Sequence, residues 1–342
     1  LDADAARFEI IDTPFRSMRD LRVDGRYAVC LASSPATHAA VVVFDLDTRT
    51  SHVLRESSPV RPAPADVSIA EAIRFPTTDG HEAHALFYAP VNATHCGPQG
   101  ARPPLLVISH GGPTAASDAS LKWSIQYWTS RGFAVVDVNY GGSSGYGRAY
   151  RARLDGAWGV VDVDDCVNAA RYLIAQGRVD EARVAIRGGS AGGYTTLCAL
   201  TFREFFKAGA SHYGIGDLEA LARDTHKFES RYLDRLIGPY PQEQALYRER
   251  SPVHHLERLS SAMILLQGAE DKMVPPNQAE AMYTAVRAKG LPVAYLLFPG
   301  EQHGFRRAES IRRAYEAELY FYGKVFGFTP ADPIEPVEID NL

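Results

Sequence analysis

Cysteine is scarce in this 342-residue chain. Its four, Cys30, Cys96, Cys166 and Cys198, lie far apart, and none forms the C-x-x-C or C-x-x-H pair that grips zinc. That spacing argues against a zinc site, and no metal is expected. Cys166 and Cys198 fall in apolar helical patterns, where a reduced cysteine packs as a small hydrophobe. Reduced thiols point to a cytoplasmic location. Long apolar runs are missing too: none reaches the roughly 18–20 residues that span a membrane. The opening LDADAARFEI has neither the basic start nor the apolar stretch of a signal peptide. The chain begins with Leu rather than Met, so a trimmed chain is expected. Charge of either sign is in little excess. A net charge of −5 gives no electrostatic grip on nucleic acid or on an anionic membrane surface. There is no internal repeat, no P-loop Lys-Ser/Thr ending, and no G-x-G-x-x-G opening a βαβ unit. The glycine-rich NYGGSSGYGRAY (139–150) is therefore read as a packed loop on the substrate side rather than a phosphate cradle.

What is present divides into two rhythms. Residues 1–58 read as short antiparallel strands: DLRVDGRYAVC (20–30) with a turn at Asp24-Gly25, then HAAVVVF (38–44), then Thr50–Leu54. Such a helix-free set cannot close into a stable unit alone. SSPVRPAPAD (57–66) reads as a linker, and 73–89 as a hairpin about Asp79-Gly80. From Leu105 the pattern changes to short, wholly apolar strands alternating with helices. The strands are LLVIS (105–109), FAVVDV (133–138), RVAIR (183–187), AGASHY (208–213), AMILLQ (262–267) and VAYLLF (293–298). Helices are expected at 121–130, 164–176, 191–202, 277–289 and 307–326. Continuous apolar strands between helices predict a mostly parallel sheet covered on both faces. The expected organisation is a β-strand segment at 1–62, followed by an α/β catalytic domain at 63–342.

Four motifs stand just past such strands. Gly188-Gly189-Ser190-Ala191-Gly192 fits G-x-S-x-G between strand RVAIR and a helix. In that context a serine sits on a strained turn with small neighbours, and a helix N-terminus favours the negative charge that develops beside it. His110-Gly111-Gly112-Pro113 follows LLVIS. A loop there supplies one backbone N–H to an oxyanion and the residue after the nucleophile supplies the other, which assigns the donors to Gly112 and Ala191. Gly268-Ala269-Glu270-Asp271 follows AMILLQ, and Gly300-Glu301-Gln302-His303 follows VAYLLF. Asp271 is taken as the acid over its neighbour Glu270, and His303 as the base. A lone histidine among 11 would mean little, but the order Ser190, Asp271, His303 is the one an α/β-hydrolase fold requires.

With NYGGSSGYGRAYR, WGVVDVDDC, GGSAGGY, THKFESRY, YRERSP, QGAEDKMVPPNQA and PGEQHGF in place, the stretch from about 70 to 328 resembles the prolyl oligopeptidase family of serine peptidases. Within it, the acylaminoacyl-peptidase and aminopeptidase-like branch is most similar. The resemblance implies a Ser190-Asp271-His303 triad, with Tyr213, Ile215 and Val274 lining the pocket for the residue before the cut bond. It also implies a β-propeller ahead of the hydrolase domain, of which 1–58 would be the last part, the rest belonging to the same precursor or to a second chain. Two positions depart from the family pattern. Gly141-Gly142 replaces an Arg-Gly found in many relatives, and His110 stands where other branches have a tyrosine that assists the oxyanion hole.

The expectation is thus a serine peptidase of short peptides, with no cofactor and with homo-oligomers possible. A small-molecule esterase or amidase would use the same triad, and a non-catalytic binding protein would keep the fold. Pseudoenzymes usually lack a triad member, and none is missing here.

Overall fold

The computed structural model describes residues 10–224 and 231–342; most of the THKFESRY motif lies outside them. Strands β1 (Ser17–Asp24), β2 (Tyr27–Ser33), β3 (Ala40–Asp45) and β4 (Thr50–Glu56) form an antiparallel sheet in that order. Asp24 pairs with Tyr27, so the predicted turn falls on Gly25 and Arg26, with Gly25 at φ +54°. Period-2 alternation in β2 and β3 puts Ala28, Cys30, Ala32, Ala40, Val42 and Phe44 into a small core against Phe15 and Leu46. Strands β1 and β4 stay almost wholly exposed. The compact unit carrying this sheet continues to Glu71 and includes Tyr88–Cys96 and Asp118–Gly132. There α1 (Trp123–Thr129) buries Trp128 fully, and its Gln126 exchanges hydrogen bonds with both backbone groups of Ser68. Trp123 is half exposed, lying against the ring of His38.

The second compact unit comprises Ala72–Phe87, Gly97–Ser117 and Phe133–Leu342. Its sheet is built from β5 (Glu71–Pro76), β6 (Glu82–Tyr88), β7 (Leu105–Ser109), β8 (Ala134–Asn139), β9 (Val184–Gly189), β10 (Ala208–His212), β11 (Ala262–Gly268) and β12 (Val293–Phe298). The spatial order is β12-β11-β10-β9-β7-β8-β6-β5, and every pair from β12 to β8 is parallel. Strands buried on both faces are what the continuous apolar runs demand. The helices are α2 (Arg148–Ala152), α3 (Val161–Ala175), α4 (Ala191–Phe202), α5 (Leu218–Asp224), α6 (Tyr232–Leu236), α7 (Gln244–Glu249), α8 (Pro276–Ala288) and α9 (Ala308–Phe326). Helix α4 is apolar all round and buried from Ala191 to Thr201, as a helix at the centre of a large core must be. Helix α3 starts at Val161, earlier than the predicted 164, where the Asp162 carboxylate accepts the Gly159 N–H at 2.7 Å. Among the described residues no helix is long and apolar enough to cross a membrane.

Chain direction across the sheet reverses at β7, with β8 on one side and β9 on the other. Open α/β sheets bind ligands in the crevice beyond the carboxyl ends of strands at such a point. The loops after β7, β9, β11 and β12 are the four that carry the motifs.

Candidate active site

The turn from β9 into α4 holds Ser190 at φ 56°, ψ −121°, a conformation that costs a non-glycine residue about 1–3 kcal/mol. The surroundings fix it there. The Ser190 N–H donates to the His212 carbonyl at 3.0 Å, and its own carbonyl accepts the Tyr194 N–H at 3.0 Å. The flanking glycines answer to space. A Cβ on Gly188 would lie 2.2 Å from the Gly192 carbonyl oxygen, and one on Gly192 would lie 2.1 Å from that of Ser109.

His303 bridges the serine and the acid. Its Nε2 is 2.8 Å from Ser190 Oγ and its Nδ1 is 2.8 Å from Asp271 Oδ2. Asp271 is buried, and its Oδ1 accepts the N–H groups of Met273 (2.9 Å) and Val274 (3.0 Å). A carboxylate so held accepts a hydrogen bond from the Nδ1–H of His303, which leaves Nε2 as an acceptor for the serine hydroxyl. Glu270, the alternative acid, is exposed. Glu301 pins the histidine loop by accepting the N–H groups of Arg306 and Arg307, each at 2.9 Å. Burial pushes the Glu301 carboxyl up, but these donors outweigh it and hold it below the usual glutamate value. The edge of Tyr213 packs on the His303 ring, with centroids 5.0 Å apart.

Gly112 and Ala191 line the same cavity as Ser190 and His303. Ala191 is the first residue of α4, where a backbone N–H has no partner within the helix. Gly112 reaches its position at φ +120°. Tyr140, just past β8, braces this loop. Its hydroxyl lies 3.0 Å from the carbonyl oxygens of both His110 and Pro113, and its ring stacks on His110. His110 Nε2 meets Ser143 Oγ at 2.7 Å, and Asp165 accepts the Gly141 N–H at 2.7 Å. The glycine-rich stretch therefore acts as a buttress for the loop that carries His110 to Pro113. Tyr140 was not singled out in the sequence, although its place at the end of a buried strand was the available signal.

Ile215 and Val274 line the cavity beside Ser190, together with Trp158, Leu221, Tyr232 and Leu233. Tyr213 does not. It lines a second cleft with Phe305, Arg187, His212 and Tyr315, which also reaches Ser190 and His303. Beneath the nucleophile turn lies a buried ionic cluster. Arg187 Nε is 2.9 Å from Glu318 Oε1, His212 Nε2 is 3.0 Å from Glu318 Oε2, and the Tyr322 hydroxyl donates to Glu318 at 3.0 Å. Burial raises the Glu318 carboxyl, yet Arg187 and His212 bring it below the usual value. Burial, with Arg187 alongside, pushes His212 below its usual value. No three His, Cys, Asp or Glu side chains among the described residues are placed to hold a metal ion. The arrangement suits acyl transfer: an activated hydroxyl, an oriented base, two N–H groups for an oxyanion, and an apolar recess beside them.

A puromycin-hydrolyzing peptidase of Mycobacterium tuberculosis has a solved structure 44% identical over 99% of this chain and 52% of its own, with a TM-score of 0.96. A puromycin hydrolase crystal structure is 43% identical over the same shares, with a TM-score of 0.94. Dipeptidyl aminopeptidase BIII of Pseudoxanthomonas mexicana is 33% identical over 225 residues, 64% of this chain and 33% of that protein. The chain thus spans about half the length of those two structures and about a third of that curated relative. The model of the prolyl oligopeptidase family matches residues 119–329, and this chain belongs to that family.

Proposed function

We propose that this chain is the catalytic part of a serine peptidase that cleaves short peptides and aminoacyl amides through an acyl-enzyme. The observation that carries this reading is the continuous Asp271–His303–Ser190 relay, with both links at 2.8 Å, at the edge of an apolar cavity. His303 Nε2 takes the Ser190 proton as Oγ adds to the substrate carbonyl. The oxygen that becomes negative is held by the N–H groups of Gly112 and Ala191, each worth about 3 kcal/mol in the transition state. The imidazolium gives its proton to the leaving amine as the C–N bond breaks. Water, deprotonated by His303, then releases the acyl group and restores Ser190. Ile215 and Val274 favour an apolar residue before the cut bond. The similarity to puromycin-hydrolysing peptidases supports a hydrolase of this kind.

Residues 1–62 would close a β-propeller whose remainder lies in the longer protein or a second chain, and 63–342 would form the catalytic domain. The greater length of the relatives supports this division. Free cysteines, three of them buried, fit a cytoplasmic setting. Turnover of matched aminoacyl 4-nitroanilides and 4-nitrophenyl esters tests the reading. Anilide hydrolysis that falls at least about 10⁴-fold in Ser190→Ala supports it, and turnover of esters alone overturns it in favour of an esterase.

A further inference from the structure

Strand β11 is buried along its whole length, yet its second-last residue is polar. Gln267 stands between the apolar run 262–266 and the loop that carries Asp271, and it is only 1% exposed. A carboxamide is tolerated at such depth only where it is hydrogen-bonded. Its Nε2 lies 3.0 Å from the Val274 carbonyl oxygen, 3.3 Å from that of Gly268 and 3.3 Å from Asp271 Oδ2. All three are acceptors. That decides which end of the amide faces them, since the oxygen would be repelled by each and the NH₂ is not.

These contacts close on the acid. Asp271 Oδ1 accepts the N–H groups of Met273 and Val274, and Oδ2 accepts from His303 Nδ1 and from Gln267. Each carboxylate oxygen thus has two donors, which fills the acceptor sites a carboxylate offers. Val274 is gripped at both ends, its N–H by Asp271 and its carbonyl by Gln267. The other ionisable groups nearby leave Oδ2 to these two donors. Tyr213 meets His303 through ring packing, and Glu301 turns to the N–H groups of Arg306 and Arg307. Glu270 is exposed, and Lys272 is exposed at the cavity beside Ser190.

On the reading that Asp271, His303 and Ser190 act together in acyl transfer, we propose that Gln267 is a positioning residue for that relay. It touches neither substrate nor the reacting atoms and acts through Asp271. The backbone N–H groups fix Oδ1, and the Gln267 amide fixes Oδ2, so the carboxylate presents one direction to His303 Nδ1. When His303 becomes an imidazolium, the acid already faces the new charge and has nothing to reorganise. Loss of the amide therefore falls on the transition state and leaves substrate binding alone.

Two variants of equal length test this on an aminoacyl 4-nitroanilide, with active sites counted by fluorophosphonate titration so that rates refer to folded, competent protein. Gln267→Met removes the donors, and kcat per site should fall about 10-fold with KM changed by no more than about twofold. Gln267→Glu sets a second carboxylate against Oδ2. Two carboxylates so close cannot both ionise readily, and one proton stays on the pair. The low-pH limb of kcat/KM should therefore move up by about one pH unit, with activity returning at higher pH. Where Gln267→Met folds too poorly to titrate, the pH limb of Gln267→Glu decides. A glutamine that only packs would lower the melting temperature and leave kcat per site and the pH limb where they are in wild type. That result, or a loss confined to KM, overturns the role of Gln267 and leaves acyl transfer standing. A wild-type chain that cleaves no anilide overturns acyl transfer and the positioning role with it.

Discussion

Asp271 and His303 meet at 2.8 Å across two separate strand-end loops, and the carboxylate oxygen that His303 does not use is taken by the N–H groups of Met273 and Val274. The acid is therefore fixed before the histidine is. Asp271→Asn keeps the size and the two N–H contacts but can turn an amide N–H toward Nδ1, which favours the wrong tautomer. We expect kcat on an aminoacyl anilide to fall about 10⁴-fold with little change in melting temperature. A loss under tenfold would show that this carboxylate does not orient the base.

Tyr140 holds the oxyanion loop through two carbonyls, and full burial keeps its hydroxyl protonated by raising it well above the usual tyrosine value. Tyr140→Phe removes that brace without opening a cavity. Stability should drop by about 1 kcal/mol, and kcat by roughly tenfold with KM little changed, because the loop's N–H is needed most in the transition state. Steady-state kinetics check it. A rise in KM at constant kcat would place Tyr140 in ground-state binding instead.

Much of the site is legible in sequence because its parts are local. Ser190, Asp271 and His303 each follow a short apolar strand, and β7, α4 and β12 begin and end where their patterns do. What is not legible depends on the chain folding back on itself. Helices α5, α6 and α7 lie between β10 and β11, each too short to show a period. Tertiary bonds hold the region, such as the Leu218 N–H to Ser251 Oγ at 2.9 Å and the Tyr247 hydroxyl to the Gly238 carbonyl at 2.8 Å. Trp158 and Tyr232 reach one cavity from different segments, so no local pattern marks them. Tyr213 and Ile215 are close in sequence yet line different recesses, because Tyr213 sits at φ 40° and turns toward His303.

The Arg187–Glu318 pair lies within the core, with Arg187 9% exposed and Glu318 fully buried. Glu318→Ala strands a guanidinium and should cost about 3–5 kcal/mol. The double replacement Arg187→Met with Glu318→Leu removes both charges and should cost markedly less. Denaturant unfolding of the three proteins checks this. Equal losses for the single and double variants would show that packing, rather than an unpaired charge, sets the cost.

Burial pushes the Asp162 carboxyl from its ordinary 3.8 to about 6, against the hydrogen bonds from Thr195 and Gly159. The folded chain then binds more protons than the unfolded one between about pH 4 and 6. This group therefore lowers stability as pH rises through that window, by up to about 3 kcal/mol. His212, held below its ordinary value, acts oppositely, since the unfolded chain takes up its proton first as pH falls. The difference between wild type and Asp162→Asn isolates the first effect. Asp162→Asn should gain stability relative to wild type as pH rises from 4 to 6; parallel melting curves across that range would contradict the assignment.

The most direct test of the central claim is covalent labelling of the folded protein with a fluorophosphonate, followed by digestion and mass mapping. Only a serine activated by a neighbouring base reacts quickly with such a reagent. The relay predicts one adduct on the peptide containing Ser190, formed fast in wild type and far more slowly in His303→Ala. An unlabelled Ser190 in folded protein, or an adduct formed equally fast without His303, would contradict it.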